Sequence, residues 1–335
     1  MQKRGVLYIG NKLSEKGKTV STIDTLSLLL EKEGFEVFTA SSKHNKLLRF
    51  FNMLVATLRF GPKVSHVLID TYSTQNFFYA VMVAWLCRIL AVAYVPILHG
   101  GNLPERLSKS PGYSKRLFKG AKINVAPSKY LMEAFQRNGY HNIMHIPNSV
   151  EIRNYPFLLR KEIQPRLLWV RSFAEIYNPL LAVEILKKLI DKGINVSLTM
   201  VGPEKDGSLE KCKIEAKGLP VTITGKLSRK QWIELSASHD IFINTTNFDN
   251  TPVSLIEAAA LGLPIVTTNV GGIPFLVNQE TSVLVPPNNA DAFVNAITNL
   301  LEDTVKTERL SRKGRQAAEL FDWEKVKKSW LALMS

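Results

Sequence analysis

A single charged side chain, Glu257, lies within a long apolar stretch of the chain between Asp249 and Glu280. It falls inside the segment ValSerLeuIleGluAlaAlaAlaLeu, whose composition predicts a helix that is buried on nearly every side. Burying a carboxylate costs free energy unless another group satisfies it. The stretch from residue 247 to residue 277 therefore constrains both the fold, which must enclose this helix, and the function, which must explain the carboxylate.

The ends of this helix are also marked in the sequence. Thr251 can cap the first turn, and Pro252 suits the first helical position, where its missing N–H costs nothing. Gly262 predicts the end of the helix, and residues 263–268 predict a buried strand. The helix start at Pro252 and Val253 offers free backbone N–H groups and the positive end of a dipole, so it can receive a phosphate.

The acidic pair Asp249 and Glu257 is followed by AlaAlaAlaLeuGlyLeuProIleVal and AsnValGlyGlyIlePro. This pattern resembles the nucleotide-binding signature of retaining glycosyltransferases of family 4, which have the GT-B fold. The resemblance implies that Glu257 holds the ribose of a nucleotide and that Asp249 approaches the donor sugar. The family commonly has Glu where this chain has Asp249, and the shorter side chain reaches less far. A second interpretation is that Glu257 is a structural ion satisfied by an internal cation.

At 335 residues the chain is long enough for two domains with separate cores. Predicted strands and helices alternate, which is typical of α/β folds with parallel sheets. With the resemblance, this predicts a GT-B fold of two Rossmann-like, doubly wound domains facing a cleft, with the last helix crossing back to the amino-terminal domain. We expect an acceptor-binding domain at residues 1–160, a linker at residues 155–165, a nucleotide-sugar-binding domain at residues 161–315 and the returning helix at residues 316–335.

The net charge of +14 is unevenly distributed. Residues 1–160 hold 22 Lys and Arg against 9 Asp and Glu, or +13, and residues 161–335 hold 21 against 20, or +1. A basic half indicates an anionic partner such as a membrane surface, a nucleic acid or a phosphorylated acceptor. Residues 43–63 predict a basic amphipathic helix that either lies on an anionic membrane or packs on the sheet with a solvated rim. Residues 103–122 add a basic segment suited to an acceptor phosphate or lipid headgroup.

The apolar residues 77–98 raise the question of a membrane span. Arg88 at their centre would cost a spanning helix roughly 2.5–3.5 kcal/mol. Pro96 and its β-rich neighbours predict instead a buried helix followed by a buried strand. The cysteines, Cys87 and Cys212, form no CxxC pair and fit a reducing compartment. We therefore expect a cytoplasmic protein without a signal peptide, which can associate peripherally with the inner membrane face.

Two residues of the amino-terminal half are candidate site residues. His99 ends a predicted strand before a glycine pair, and the carboxyl ends of parallel strands face the crevice where open α/β sheets bind ligands. In the resembling family a His at this place contacts the donor sugar. Gly10 follows the first predicted strand, in a loop that in the family lines the cleft near the acceptor and the diphosphate. A plain tight turn is an equally good interpretation of Gly10.

In the carboxy-terminal half, Arg171 follows the predicted strand at residues 166–170. The resembling family has an Arg here and a Lys a few positions later, both on the donor diphosphate, and this chain has Tyr177 at the Lys position. Lys226 follows another predicted strand, and the resemblance places it near the base or the phosphates. The departures at Tyr177 and Asp249 put full activity in question.

The resemblance implies a hexosyltransferase-type glycosyltransferase of polysaccharide or cell-envelope glycan biosynthesis. It would move a sugar from a nucleotide-sugar, with UDP favoured over GDP, to a glycan or lipid-linked acceptor with retention of anomeric configuration. The predicted catalytic residues are His99, Asp249 and Arg171, and the predicted nucleotide-binding residues are Glu257, Thr251, Pro252, Val253, Lys226 and Gly10.

The sequence also argues against several partners and leaves two alternative functions open. It contains no Asp-x-Asp motif, so we expect no metal and no cofactor, and it contains no recognisable nucleic-acid module. One alternative is a nucleotide-sugar epimerase or hydrolase on the same fold. The other is a catalytically impaired GT-B protein that binds anionic membranes. The sequence does not specify the sugar, the base, the acceptor, the linkage or the oligomeric state.

Overall fold

The computed structural model describes residues 5–12 and 21–335. The chain divides into two units, the first formed by residues 1–147 with residues 329–335 and the second by residues 148–328. The division falls after Pro147, earlier than the boundary that the sequence predicts after residue 160.

The described residues of the first unit form a six-stranded parallel sheet in the order β2-β1-β3-β4-β5-β6. Its strands are β1 (Gly5–Ile9), β2 (Glu36–Ala40), β3 (His66–Thr71), β4 (Ala93–Leu98), β5 (Asn124–Ala126) and β6 (Ile143–His145). Its helices are α1 (Thr22–Lys32), α2 (Lys46–Phe60), α3 (Asn76–Ile89), α4 (Leu103–Lys109), α5 (Pro111–Phe118) and α6 (Lys129–Arg137). Every residue of β3 is buried, which agrees with a parallel sheet covered by helices on both faces.

The second unit contains another six-stranded parallel sheet, in the order β12-β11-β10-β7-β8-β9, within its described residues. Its strands are β7 (Arg166–Val170), β8 (Ser197–Val201), β9 (Val221–Gly225), β10 (Ile241–Asn244), β11 (Ile265–Thr268) and β12 (Val283–Val285). Its helices are α7 (Pro179–Asp191), α8 (Ser208–Glu215), α9 (Arg229–Ser236), α10 (Val253–Ala260), α11 (Ile273–Leu276), α12 (Ala290–Glu302) and α13 (Thr304–Ala318).

In each sheet, the strand that comes first in the chain is an interior strand with a neighbour on both sides. Strand β1 lies between β2 and β3, and strand β7 lies between β8 and β10. In doubly wound sheets the loops diverge at the carboxyl ends of such strands and leave a crevice for a ligand. Gly10, directly after β1, and Arg171, directly after β7, therefore each lie at such a point of their own unit.

The segment that the sequence predicts as a linker, residues 155–165, is packed into the second unit. Tyr155 and Arg160 have exposed fractions of only 2% and 3%. The Arg160 guanidinium donates hydrogen bonds to backbone carbonyls near the ends of α9 and α10, those of Ser236, His239 and Leu261. Carbonyls at helix ends lack intrahelical partners, so Arg160 satisfies them and fixes the segment in place.

The returning helix is shorter than the predicted range of residues 316–335. Helix α13 of the second unit extends to Ala318, and a separate helix, α14 (Trp323–Met334), follows it. Residues Ser329–Ser335 group with the first unit. Within that unit, the Lys122 ammonium donates a hydrogen bond to the carbonyl of Leu333 at 3.0 Å.

The helix and strand predicted within residues 77–98 are confirmed as α3 and β4. Helix α3 is not buried on all sides, however, because four of its large apolar side chains are exposed. Over the ranges that the structure describes, every helix is too short or too polar to cross a membrane.

His66 makes the stability of the first unit dependent on pH. Its Nε2 lies 2.8 Å from the Lys122 ammonium, and its Nδ1 lies 3.0 Å from the Ser65 hydroxyl. Burial, and to a lesser extent the charge of Lys122, lowers the pKa of His66 from 6.5 to about 4. The unfolded chain therefore binds a proton that the folded unit excludes, and the free energy of unfolding should fall as the pH is lowered from 6.5 to about 4.

Thermal unfolding of the wild type and of His66→Gln across this pH range tests the expectation. Glutamine can accept the hydrogen bond of Lys122 but does not titrate, so the variant should lose less of its melting temperature on acidification. Equal losses in the two proteins would show that His66 is not the group responsible.

Candidate active site

Glu257 is buried on α10, with an exposed fraction of 7%. The Tyr155 hydroxyl donates to Glu257 Oε1 at 2.6 Å, and Arg229 Nε lies 3.2 Å from the same oxygen. Tyr155 precedes β7 and Arg229 opens α9, so three segments that are distant in sequence meet at this carboxylate. Neither contact engages Oε2.

These contacts satisfy one oxygen of the carboxylate within the protein. Burial raises the pKa of Glu257, and Arg229 and the hydrogen bond from Tyr155 oppose that rise. Burial and the charge of Glu257 raise the pKa of Tyr155, which keeps the phenol a donor. The cation that the second interpretation of Glu257 predicts is therefore present as Arg229, although the Arg229 side chain is 49% exposed. The ribose role stays a prediction, which requires Oε2 or the displacement of Arg229.

Helix α10 begins at Val253, one residue later than the sequence predicts. Pro252 occupies the cap position in an extended conformation, with φ −68° and ψ 107°, and Thr251 lies one residue before it. The contact of Thr251 with a nucleotide stays a prediction. The Pro252 carbonyl accepts the N–H of Leu255 at 3.0 Å. The buried Ser254 hydroxyl has no hydrogen-bond partner in the described part of the chain. The helix start therefore offers backbone donors to an anion.

Arg171, directly after β7, forms an ion pair with Asp249 through Nη2. The two side chains are 16% and 14% exposed. The guanidinium carbon of Arg171 lies 4.8 Å from the ring centre of Tyr177, and burial raises the pKa of that phenol while Arg171 opposes the rise. Two predicted site residues are thus brought together, and the tyrosine at the family's lysine position packs on the same guanidinium.

The backbone of the loop that positions Asp249 packs closely against Gly272. The N–H of Gly272 donates to the Asp249 carbonyl at 2.8 Å. A Cβ atom at Gly272 would overlap the carbonyl oxygen of Asn250. The second glycine of AsnValGlyGlyIlePro therefore allows the close backbone approach that holds Asp249 beside Arg171.

Sequence reasoning missed Tyr155 and Arg229. It singled out Lys226, which is exposed after β9, whereas the cation at Glu257 comes three residues later in the chain. Nothing in the local pattern links Tyr155 or Arg229 to Glu257, because both contacts arise from packing between distant segments. The role of Lys226 at a base or phosphate stays a prediction.

In the first unit, His99 pairs with a buried carboxylate. His99 Nε2 lies 2.7 Å from Asp70 Oδ1, and the Tyr8 hydroxyl donates to the same oxygen at 2.8 Å. The Asp70 side chain is wholly buried and that of His99 is 9% exposed. Asp70 lies beside Ile97 of β4, so the register alone puts it at the same sheet edge as His99. An aspartate near the carboxyl end of an apolar strand was the signal that could have identified it.

Gly10 lies against this pair. A Cβ atom at Gly10 would overlap Asp70 Oδ2, which has no hydrogen-bond partner among the described residues. Together with Tyr72, Gly10 and Asp70 line a small recess that is open to solvent. The position therefore needs glycine for close contact with a buried carboxylate and not only for a turn, whereas contact with a ligand stays a prediction.

Across residues 5–12 and 21–335, no group of three or more His, Cys, Asp or Glu side chains could hold a metal ion. The expectation that the protein needs no metal therefore rests on the sequence and awaits an experiment.

Two doubly wound parallel sheets with polar residues at the carboxyl ends of their strands are typical of folds that bind ligands at these ends. Anabaena HepE in complex with UDP and glucose matches with a TM-score of 0.77 at 17% identity, over 98% of this chain and 98% of that chain. Sucrose-phosphate synthase from Thermosynechococcus elongatus matches with a TM-score of 0.79 at 18% identity, over 99% and 98% of the two chains. These matches confirm the α/β, two-domain GT-B fold.

Residues 153–317 match the model of the family described as Glycosyl transferases group 1. The matched residues lie in the second unit and include Arg171, Asp249 and Glu257. Over these residues the chain is similar to group 1 glycosyltransferases.

Curated relatives agree with this family. The chain is 28% identical to the sulfoquinovosyl transferase of Arabidopsis thaliana over 148 residues, 42% of this chain and 28% of that protein. It is 24% identical to the glycogen synthase of Mycobacterium tuberculosis over 198 residues, 56% of this chain and 47% of that protein. A galactosyltransferase of Escherichia coli matches at 24% over 179 residues, 48% of this chain and 45% of that protein. The alignments thus span less than half of each relative.

Substituting Gly10 should destabilise the first unit. The added methyl group of Gly10→Ala would press on the buried Asp70 carboxylate, and overpacking of this kind costs roughly 1–3 kcal/mol. Urea unfolding measures the loss. The matched control is Gly112→Ala on α5, where nothing lies within 4 Å of the added atom. The explanation fails if both variants unfold at the same urea concentration as the wild type.

Proposed function

We propose that this protein is a retaining glycosyltransferase that moves a hexose from a UDP-sugar to a glycan or lipid-linked acceptor. The observation that supports it most is the ion pair of Arg171 with Asp249, which lies with the buried Glu257 within the residues that match group 1 glycosyltransferases. The proposed setting is polysaccharide or cell-envelope glycan biosynthesis, in the cytoplasm and peripherally at the inner membrane face.

Each predicted residue has a role in this proposal. Arg171 and the start of α10 bind the donor diphosphate and stabilise the negative charge that grows on it as the bond to the sugar breaks. Glu257 holds the ribose, and Lys226 contacts the base or a phosphate. Asp249 and His99 orient the donor sugar. Asp70 positions the imidazole of His99 through the contact at its Nε2.

The choice of donor and acceptor is supported by relatives. HepE is described in complexes with UDP and with UDP-glucose. The Escherichia coli relative is described as a UDP-Gal:alpha-D-GlcNAc-diphosphoundecaprenol alpha-1,3-galactosyltransferase, whose acceptor is lipid-linked. Both support a UDP-sugar donor, and the second supports a lipid-linked acceptor for this chain.

One observation favours a second candidate, a catalytically impaired protein that still binds a nucleotide. In place of a second cation for the diphosphate, the chain has Tyr177 stacked on Arg171. Only one cationic side chain of the predicted pair then remains to stabilise the leaving group. This candidate predicts binding of UDP without turnover.

A thermal-shift panel with UDP, GDP and ADP sugars, followed by product analysis, tests the function. A shift with UDP-sugars and a glycosylated product that retains the anomeric configuration by NMR is expected, also in the presence of a chelator. Sugar released or altered without acceptor would identify the hydrolase or epimerase. A shift without any product would identify the impaired protein, and no shift with any nucleotide would refute the nucleotide site.

Glu257→Ala should weaken UDP binding by roughly 1–3 kcal/mol, the usual loss for a charged hydrogen-bond partner. Because Glu257 also accepts from Tyr155, its removal can act through the fold. Tyr155→Phe is the control, since it removes that hydrogen bond but keeps the carboxylate. Calorimetric titration with UDP should show weaker binding only for Glu257→Ala. Equal affinity in the wild type and in a folded Glu257→Ala variant would remove the ribose role.

Asp249→Asn should strengthen UDP binding and reduce turnover. Asp249 neutralises Arg171 in the empty site, so a diphosphate must compete with it for the guanidinium. Removing one charge should raise the affinity for UDP by about three- to tenfold, a gain of up to about 1.4 kcal/mol. The same titration checks it, with Asp240→Asn as a control that alters another ion pair of this unit. Unchanged or weaker binding of UDP would contradict the competition.

A further inference from the structure

Helix α2 presents its apolar side chains to solvent. The large side chains of Leu47, Leu48, Phe51, Val55 and Leu58 have exposed fractions between 52% and 69%. The buried face of the same helix consists of Arg49, Met53, Ala56 and Thr57. The helix packs on the core of the first unit through Met53 and Ala56, as one of the two interpretations of residues 43–63 has it, but its apolar stripe faces solvent. The membrane interpretation therefore stays open.

The rotation of α2 is fixed by Arg49. This side chain is 9% exposed, and its guanidinium donates to the Lys43 carbonyl at 2.8 Å and to the His44 carbonyl at 2.8 Å. It also donates to the Asn11 side chain at 3.1 Å. Turning the apolar stripe inward would expose these contacts and bury Phe51 in their place, so the outward stripe belongs to the folded state.

Helix α3 carries a second exposed apolar stripe. Phe78, Met82, Trp85 and Ile89 follow one another at helical spacing and are 37% to 60% exposed. The two helices pack side by side, since the rings of Phe50 and Tyr79 lie 5.2 Å apart. The stripes of α2 and α3 thus form an exposed apolar surface on neighbouring helices, which we call the α2–α3 face.

The charges around the α2–α3 face are positive. Exposed cations flank it at Lys43, Lys46, Arg59, Lys63 and Arg88. The sequence has no acidic residue between Glu36 and Asp70 or between Asp70 and Glu105, and Asp70 is buried. Helix α5 adjoins α3 through the ring contact of Phe78 with Tyr113, 5.7 Å apart, and adds further basic residues.

We propose that the α2–α3 face binds an anionic lipid bilayer, with its apolar side chains inserted at the level of the headgroups and its cations among the phosphates. An exposed apolar face with a uniformly basic rim is the chemistry of interfacial helices. A protein partner would have to be acidic around its whole contact, whereas an anionic bilayer offers negative charge in every direction. The proposal rests on residues of the first unit and does not depend on glycosyl transfer.

Vesicle sedimentation tests the proposal without any nucleotide. The full chain should pellet with vesicles that contain phosphatidylglycerol, bind phosphatidylcholine vesicles far less and lose binding at high salt. The double variant Phe51→Glu, Val55→Glu should lower the affinity by about tenfold or more. The control double variant Ile214→Glu, Val305→Glu introduces the same charges at apolar positions of the second unit that are 73% and 77% exposed, and it should bind like the wild type. Unchanged thermal unfolding verifies that all variants are folded.

The fluorescence of Trp85 can report directly on insertion of the α2–α3 face into the bilayer. It is 47% exposed, whereas the other four tryptophans, Trp169, Trp232, Trp323 and Trp330, are 5% exposed or less. Phospholipids with brominated acyl chains should therefore quench the fluorescence of Trp85 selectively. The variant Trp85→Phe should abolish the quenching and still sediment with the vesicles.

Four outcomes would overturn the proposal. The first is failure of the wild type to sediment with anionic vesicles, and the second is binding of the Phe51→Glu, Val55→Glu variant as tight as that of the wild type. The third is a loss of affinity in the control variant as large as in the Phe51→Glu, Val55→Glu variant. The fourth is sedimentation of the wild type without quenching of the Trp85 fluorescence. If the wild type instead forms a dimer that the face variant abolishes, the α2–α3 face is an interface between two copies of the chain.

Discussion

The carboxylate of Glu257 ties together three parts of the second unit that are distant in sequence. It is reached by Tyr155 from the segment before β7 and by Arg229 from the first turn of α9. Its helix is otherwise apolar, so the cost of burying the charge is met by these two groups and not by solvent. The fold of this unit and its candidate chemistry therefore depend on the same oxygen atoms, because a ribose at Glu257 would share the carboxylate with its structural partners.

Local patterns predicted the course of the backbone well. Strand β7 has the predicted bounds, and the predicted alternation of strands with helices is observed in two doubly wound sheets. The family resemblance assigned Arg171 and Asp249 to the same donor molecule, but the ion pair between the two side chains was not predicted. The start of α10 was misplaced by one residue, since Pro252 is as compatible with a cap position as with the first helical turn.

Contacts between distant residues could not be read from the sequence. The outward rotation of α2 depends on Arg49 and on its hydrogen bond to Asn11, which lies in a different loop. A helical pattern shows that a stripe is apolar but not which way it faces. The burial of Tyr155 and Arg160 likewise depends on helix ends that lie far along the chain, so the local composition resembled a linker. Asp70 was overlooked because its partners Tyr8 and His99 come from two other strands.

The first unit is discontinuous in the chain, since residues 329–335 complete it after the whole second unit has intervened. During synthesis the residues up to Pro147 leave the ribosome long before the segment whose Leu333 carbonyl receives Lys122. Until then the first unit lacks the segment that completes it, and incompletely folded units are prone to aggregate. Expression of residues 1–147 alone would leave this segment out, so the two units are unsuited to separate production by cutting the gene between them.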